Sequence, residues 1–159
     1  MSPVPQASLH DKLINYLKKE SIDYEEIEHR ETKTSAESAA ARGTKLEQGA
    51  KALLMMADSN PVLLILSAAK KANNTAVKKM LGAEDLRMAT PEEVRQISGV
   101  GIGAVPPFGN LFKTPVYVDE SFLSVVDIAF NSGSLTQSVI MKSSDFIKLV
   151  KPKVGVYGI

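Results

Sequence analysis

Four groups of residues in this chain have types and spacing that could do chemistry. The first is Gly99 to Gly109, Gly-Val-Gly-Ile-Gly-Ala-Val-Pro-Pro-Phe-Gly, which holds four glycines, two adjacent prolines and no charge. Glycine admits positive φ and close approach to the backbone, and proline fixes φ and removes a donor. A segment built from both reads as a rigid loop that presents main-chain N–H and C=O groups to a small polar group. The plainer alternative is a structural turn. A dinucleotide fingerprint needs a strand before its glycines and a helix after them. Here a helix is predicted before Gly99, and Pro106–Pro107 stand where the next helix would begin, so that reading is rejected.

The second group is Lys51, at the head of the most apolar strand pattern. It is either a lysine snorkelling from a sheet edge or a cation beside the core, suited to a phosphate or a polarised carbonyl. The third is Asn131-Ser132-Gly133-Ser134, between two predicted strands. It reads as a hairpin turn or as a rim of amide and hydroxyl groups at a sheet end. The fourth is His29 after a strand, followed by Thr34 and Ser35 at a helix start. A lone histidine there is ordinarily exposed or capping.

What the chain lacks narrows the chemistry. Cysteine is absent, and the two histidines, His10 and His29, form no metal-binding spacing. No metal and no cofactor are expected. A Ser–His–Asp system would need one of these histidines, and no serine sits in a nucleophile elbow. An enzyme built from this sequence works without the usual side-chain nucleophile. Lys and Arg number 19 against 18 Asp and Glu, a net charge of +1, which argues against a general nucleic-acid binder. Two local lysine groups remain, Lys70/Lys71/Lys78/Lys79 and Lys142/Lys148/Lys151/Lys153, each read as a solvated face. With 159 residues and 44% hydrophobic, one domain spanning 1–159 is expected. No apolar run approaches the ~18 residues of a membrane span. The start, Met1 to Lys12, lacks a leader pattern, so a soluble cytoplasmic protein is expected.

The elements that must position these groups follow from periodicity and caps. Leu9–Glu20 has helical spacing with Ser8 as N-cap, and Ile22–Glu28 alternates as a strand. Thr34–Glu37 is a capping box opening an alanine-rich helix to Gly43. Lys45–Gly49 reads as a loop. Ala50–Ala57 and Val62–Ser67 form a buried hairpin about a turn at Asp58–Pro61. Asn73 or Asn74 caps a helix ending at Leu81, and Leu86–Met88 is a short strand. Thr90-Pro91-Glu92-Glu93 starts a helix that delivers the chain into the glycine loop. Val116–Val118, Val125–Phe130 and Gln137–Met141 are strands, with Asp119–Phe122 a turn. Ser143 or Ser144 caps a last helix, and Val154–Tyr157 is a final strand. The fold class is α+β, with a mixed, mostly antiparallel sheet and short helices.

Taken in order, these features resemble one family. They are His29 with Thr34–Ser35, Gly49 to Met55, Gly103 to Gly109, Val118–Asp119, and Asn131 to Ser134. The pattern is similar to the YbaK/ProRS-associated editing superfamily, which includes free-standing proteins and the insertion domain of bacterial prolyl-tRNA synthetases. The resemblance covers roughly residues 8 to 151, and the order and spacing of short motifs carry it. It implies a YbaK-like, partly barrel-like sheet and a hydrolase that cleaves the ester of mischarged aminoacyl-tRNA. Its partners would be the tRNA 3′ end and, for some members, a synthetase. It assigns catalysis to Lys51 and Gly103. It assigns substrate contacts to His29, Thr34, Ser35, Ala104, Val105, Pro106, Pro107, Phe108, Gly109, Asn131, Gly133 and Ser134. Water beside the terminal ribose, assisted by a substrate hydroxyl, would account for the missing triad. Ala52 after Lys51, the doubled proline, and Asn131 and Ser134 in the later loop depart from some relatives. They leave alanyl-, cysteinyl-, seryl- and threonyl-tRNA open as targets. Two other readings stand beside the deacylase: a non-catalytic tRNA- or synthetase-associated module, and a small-molecule hydrolase or binder that ignores RNA.

Overall fold

A computed structural model describes residues 8–159. The reading of Met1–Lys12 as free of a leader, and of a domain beginning at residue 1, falls partly on residues 1–7, outside the described residues.

Helix α1 (Leu9–Lys19) is capped by Ser8, whose hydroxyl accepts from Asp11 N at 3.1 Å. Strand β1 (Tyr24–Glu28) follows. Helix α2 (Ser35–Arg42) starts at Thr34, which accepts from Glu37 N, and stops at Gly43 with φ 71°. The expected loop after it contains a 3-10 turn at Leu46–Gln48. Strands β2 (Ala50–Ala57) and β3 (Asn60–Ser67) pair antiparallel. Their turn is only Asp58–Ser59, both at positive φ (48° and 67°), while Asn60 and Pro61 already belong to β3. Helix α3 (Asn74–Leu81), capped by Asn73, and strand β4 (Leu86–Met88) come next. Helix α4 (Pro91–Ser98) has a full capping box between Thr90 and Glu93 and ends at Gly99. Strand β5 (Val116–Asp119), a 3-10 turn at Glu120–Ser124, and strands β6 (Asp127–Asn131) and β7 (Gln137–Lys142) lead into α5 (Ser143–Val150) and β8 (Lys153–Gly155). Neither Ser143 nor Ser144 caps α5. Ser143 is already inside the helix, and its hydroxyl bonds the Val125 carbonyl.

The strands form two sheets. One is antiparallel in the order β1-β7-β6, and the other is mixed in the order β4-β2-β3-β5-β8, with β5 and β8 parallel to their neighbours. A single parallel bridge, Gly49 to Ala129, touches the two sheets together. The barrel-like element of the expectation does not hold: the sheets meet at this corner without closing. β3 is covered on both faces, so Val62 to Leu66 are apolar on both its inward and outward sides. Leu63 and Ile65 join the main core with Leu13, Phe130 and Phe146, while Leu64 and Leu66 join a second cluster with Val77 and Tyr157. β2 divides the same way, and Lys51, its second residue, pairs with Leu66 near that end of the hairpin. No helix among the described residues is long and apolar enough to cross a membrane.

Candidate active site

The corner where the two sheets touch holds a cavity of about 180 Å³. The start of α2 contributes Thr34, Ser35 and Ser38, and its last residue contributes Arg42. The head of β2 contributes Gly49 to Lys51, the glycine loop contributes Gly103, and the end of β6 contributes Asn131. Residues far apart in sequence therefore meet because four element ends converge on one bridge. Lys33, Arg42 and Lys51 make the lining cationic, and no carboxylate lines it.

A hydrogen-bond chain ties these walls together. Arg42 donates from Nε to Ser138 Oγ (2.9 Å) and from Nη2 to Asn131 Oδ1 (2.9 Å). Asn131 Nδ2 donates to the Gly103 carbonyl at 2.6 Å. His29 Nε2 lies 2.8 Å from Ser138 Oγ. The guanidinium thus meets only neutral acceptors, and burial lowers its pKa to about 10, still charged at neutral pH. Lys51 Nζ donates to the Lys70 carbonyl. Partial burial and then the charge of Lys71 push the Lys51 pKa below the usual lysine value. An ammonium has three donors, so two remain for the cavity.

Gly103 has φ 86°, and a Cβ there would stand 3.3 Å from Leu135 Cδ2. Among the described residues its N–H has no acceptor. It is exposed, whereas Ala104 to Gly109 are all buried. The presented backbone is therefore much shorter than the loop. Ala104 accepts from Gly133 N (2.9 Å), and Pro106 and Pro107 are buried in the wall behind. Phe108 is a core residue, fully buried against the rings of Tyr16, Phe130 and Phe146. Gly109 is a packing position, since a Cβ there would lie 2.4 Å from Thr114 O. Neither faces the cavity, because the chain is buried from Ala104 to Gly109. Val105 lines an adjoining apolar cavity of about 180 Å³ that shares Lys51 and Gly103 and includes Met88 and Ile102.

The other expected contacts act one step back. Gly133 (φ 96°) packs on the His10 backbone, and Ser134 Oγ is used within its own turn by Thr136. His10 joins Ser132 Oγ (2.9 Å) and Glu26 (3.4 Å), an array that looks like a triad. Ser132 is fully buried and also donates to Gln137 O, so substrate cannot reach it. Among the described residues no cluster of three or more His, Cys, Asp or Glu could hold a metal ion. Arg42, Ser38 and Ser138 escaped sequence reasoning. Ser35, Ser38 and Arg42 recur at helical spacing on an otherwise alanine-rich helix, a polar stripe that marks a face. Ser138 carries no such signal.

Residues 29–149 match the family model described as aminoacyl-tRNA editing domain. The chain belongs to that family. The editing domain is 33% identical to the multifunctional Ser/Thr-tRNA deacylase ProXp-y of Escherichia coli (strain K12), over 91% of this chain and 90% of that one. It is 31% identical to the proline–tRNA ligase of Ligilactobacillus salivarius (strain UCC118), over 67% of this chain but 17% of the ligase. A solved structure proposed to be a trans-editing enzyme for prolyl tRNA synthetase superposes with a TM-score of 0.84 at 24% identity, covering 98% of this chain and 99% of that one. The editing domain is a hydrolase that cleaves the ester between an amino acid and the 3′ end of a mischarged tRNA.

Proposed function

We propose that this editing domain removes serine and threonine from mischarged tRNA in the cytoplasm, at the cavity between α2 and Gly103. The observation that carries the reading is the lining: hydroxyls, an amide and three cations, with no carboxylate. Such a wall suits the hydroxyl of a small side chain, the terminal ribose and the adjoining phosphate. The name of the Escherichia coli relative supports the same two amino acids.

In the reaction, water adds to the ester carbonyl carbon. The water gives up a proton as the carbonyl oxygen becomes an oxyanion, the bond to the ribose oxygen then breaks, and that oxygen takes up the proton the water released. The free Gly103 N–H and the Lys51 ammonium are the donors that meet the developing negative charge. Both are held before reaction, so neither must reorganise. Asn131 holds the Gly103 peptide, and Arg42 holds Asn131 and adds a fixed positive charge.

The test is a panel of seryl-, threonyl-, alanyl- and cysteinyl-tRNA, with wild type and Lys51→Ala side by side. Seryl and threonyl esters should turn over fastest. Lys51→Ala should lose about 100-fold or more in kcat/KM, the loss that follows removal of one oxyanion donor. Binding without turnover across the panel would favour the non-catalytic module. Full activity in Lys51→Ala would remove the lysine from the mechanism.

A further inference from the structure

One motif of the sequence has no part in the cavity. Asp119, at the end of β5, is 1% exposed and is the only buried carboxylate among the described residues. Every lone-pair direction is used. Oδ1 accepts from Tyr157 N (2.8 Å) and Gly158 N (2.9 Å), and Oδ2 accepts from Ser121 Oγ (2.5 Å) and Ser121 N (3.3 Å). Lys70 Nζ stands 3.6 Å from Oδ2. Burial pushes the carboxyl pKa up, but the bonds from Ser121, Tyr157 and Gly158 outweigh it and leave the group below its ordinary value.

The strap that Asp119 anchors runs across the loop after β3. Ile159 N donates to Lys71 O (2.8 Å), Lys71 N to Ile159 O (3.3 Å), and Asn73 N to Tyr157 O (2.8 Å). Lys70 is therefore held at both ends, by its side chain on Asp119 and by the backbone bonds beside it. Its carbonyl is the acceptor for Lys51 Nζ. Lysine is a flexible point charge on a four-carbon stem, and one fixed acceptor decides where that charge rests.

We propose that Asp119 and the strap Tyr157–Ile159 are positioning elements for the Lys51 ammonium, acting through the Lys70 carbonyl. Nothing in this arrangement touches substrate. It rests on the role given to Lys51 above. Its consequence is that residues distant in sequence from every cavity residue set the turnover of the site. An amide at 119 offers one acceptor oxygen where the carboxylate offers two, so either the Ser121 bonds or the strap bonds are lost.

The experiment measures kcat and KM for deacylation of seryl-tRNA by wild type, Lys51→Ala, Asp119→Asn and a chain cut after Gly158, each with a thermal melt. The cut removes both Lys71–Ile159 bonds while sparing buried Tyr157, so it stays folded if Asp119→Asn does not. The expected result for either variant is a kcat lowered about 10- to 100-fold with KM within about 2-fold, the signature of a displaced transition-state donor. A wild-type kcat in the cooperatively folded variants, with Lys51→Ala inactive, overturns the strap and leaves the site standing. Full activity in Lys51→Ala overturns both.

Discussion

Replacing Asn131 by aspartate separates the stability of this domain from its activity. The two side chains have the same shape, so packing at the sheet corner is unchanged. The oxygen facing Arg42 stays in place at 2.9 Å and becomes charged. A pair at roughly 4 Å between charge centres gains about 4 kcal/mol at an effective dielectric of about 20. Desolvating the new carboxylate costs several kcal/mol, so the two terms nearly cancel. On the other side, the amide donor that reached Gly103 O at 2.6 Å is replaced by a second oxygen. That removes a hydrogen bond worth about 1 kcal/mol and opposes two acceptors at a further 1–3 kcal/mol, roughly, if nothing moves. Gly103 is exposed and can move, so the loop should retreat by about 1 Å rather than carry that repulsion. The expected outcome is a stability within about 2 kcal/mol of wild type, read from urea unfolding. Deacylation should fall about 100-fold, because a donor displaced by about 1 Å no longer meets the oxyanion. Wild-type turnover by a folded Asn131→Asp protein would refute the idea that this amide sets the Gly103 peptide.

Three other outcomes follow from the same geometry. The charge of Lys71 lowers the Lys51 pKa, and the site needs the ammonium, so activity is lost as pH rises through that pKa. Lys71→Ala should move this limb of the kcat/KM profile to higher pH, and an unmoved limb would show that the two charges are not coupled. The folded-state pKa of Asp119 is depressed, so its stabilisation is present above the ordinary aspartate value and is lost as pH falls through the lowered one. The stability gap between wild type and Asp119→Asn, from urea unfolding, should be wide near about pH 7 and close on acidification below the ordinary aspartate range; a constant gap would contradict this. Gly109→Ala would press a Cβ to 2.4 Å from Thr114 O and 2.7 Å from Val116 Cγ2. It should cost about 3 kcal/mol of stability, and a neutral denaturant midpoint would show that this turn is not tightly packed.

Much of this protein was legible in its sequence because the relevant signals are local. Ser8, Thr34, Asn73 and Thr90 each cap the helix expected of them, since a cap needs only its own next turn. The β2–β3 hairpin follows from two apolar runs about a short turn. The order of the motifs carried the family and, with it, the reaction. The cavity was legible in part: Lys51, Gly103, Thr34, Ser35 and Asn131 do line it.

What the sequence could not settle is direction and partnership, which depend on contacts between distant segments. The eleven-residue glycine–proline loop gave no sign of which few atoms face outward. Packing of Phe108 among three rings turned Ala104 to Gly109 inward and left Gly103 at the surface. Arg42 gained its place only when β6 and β7 brought Asn131 and Ser138 beside α2. Asp119 could be picked out as a residue at a strand end, but only the fold shows it gripping a segment some 38 residues later. Local chemistry determined the elements and the family; burial, acting between elements, decided which of their atoms face the cavity.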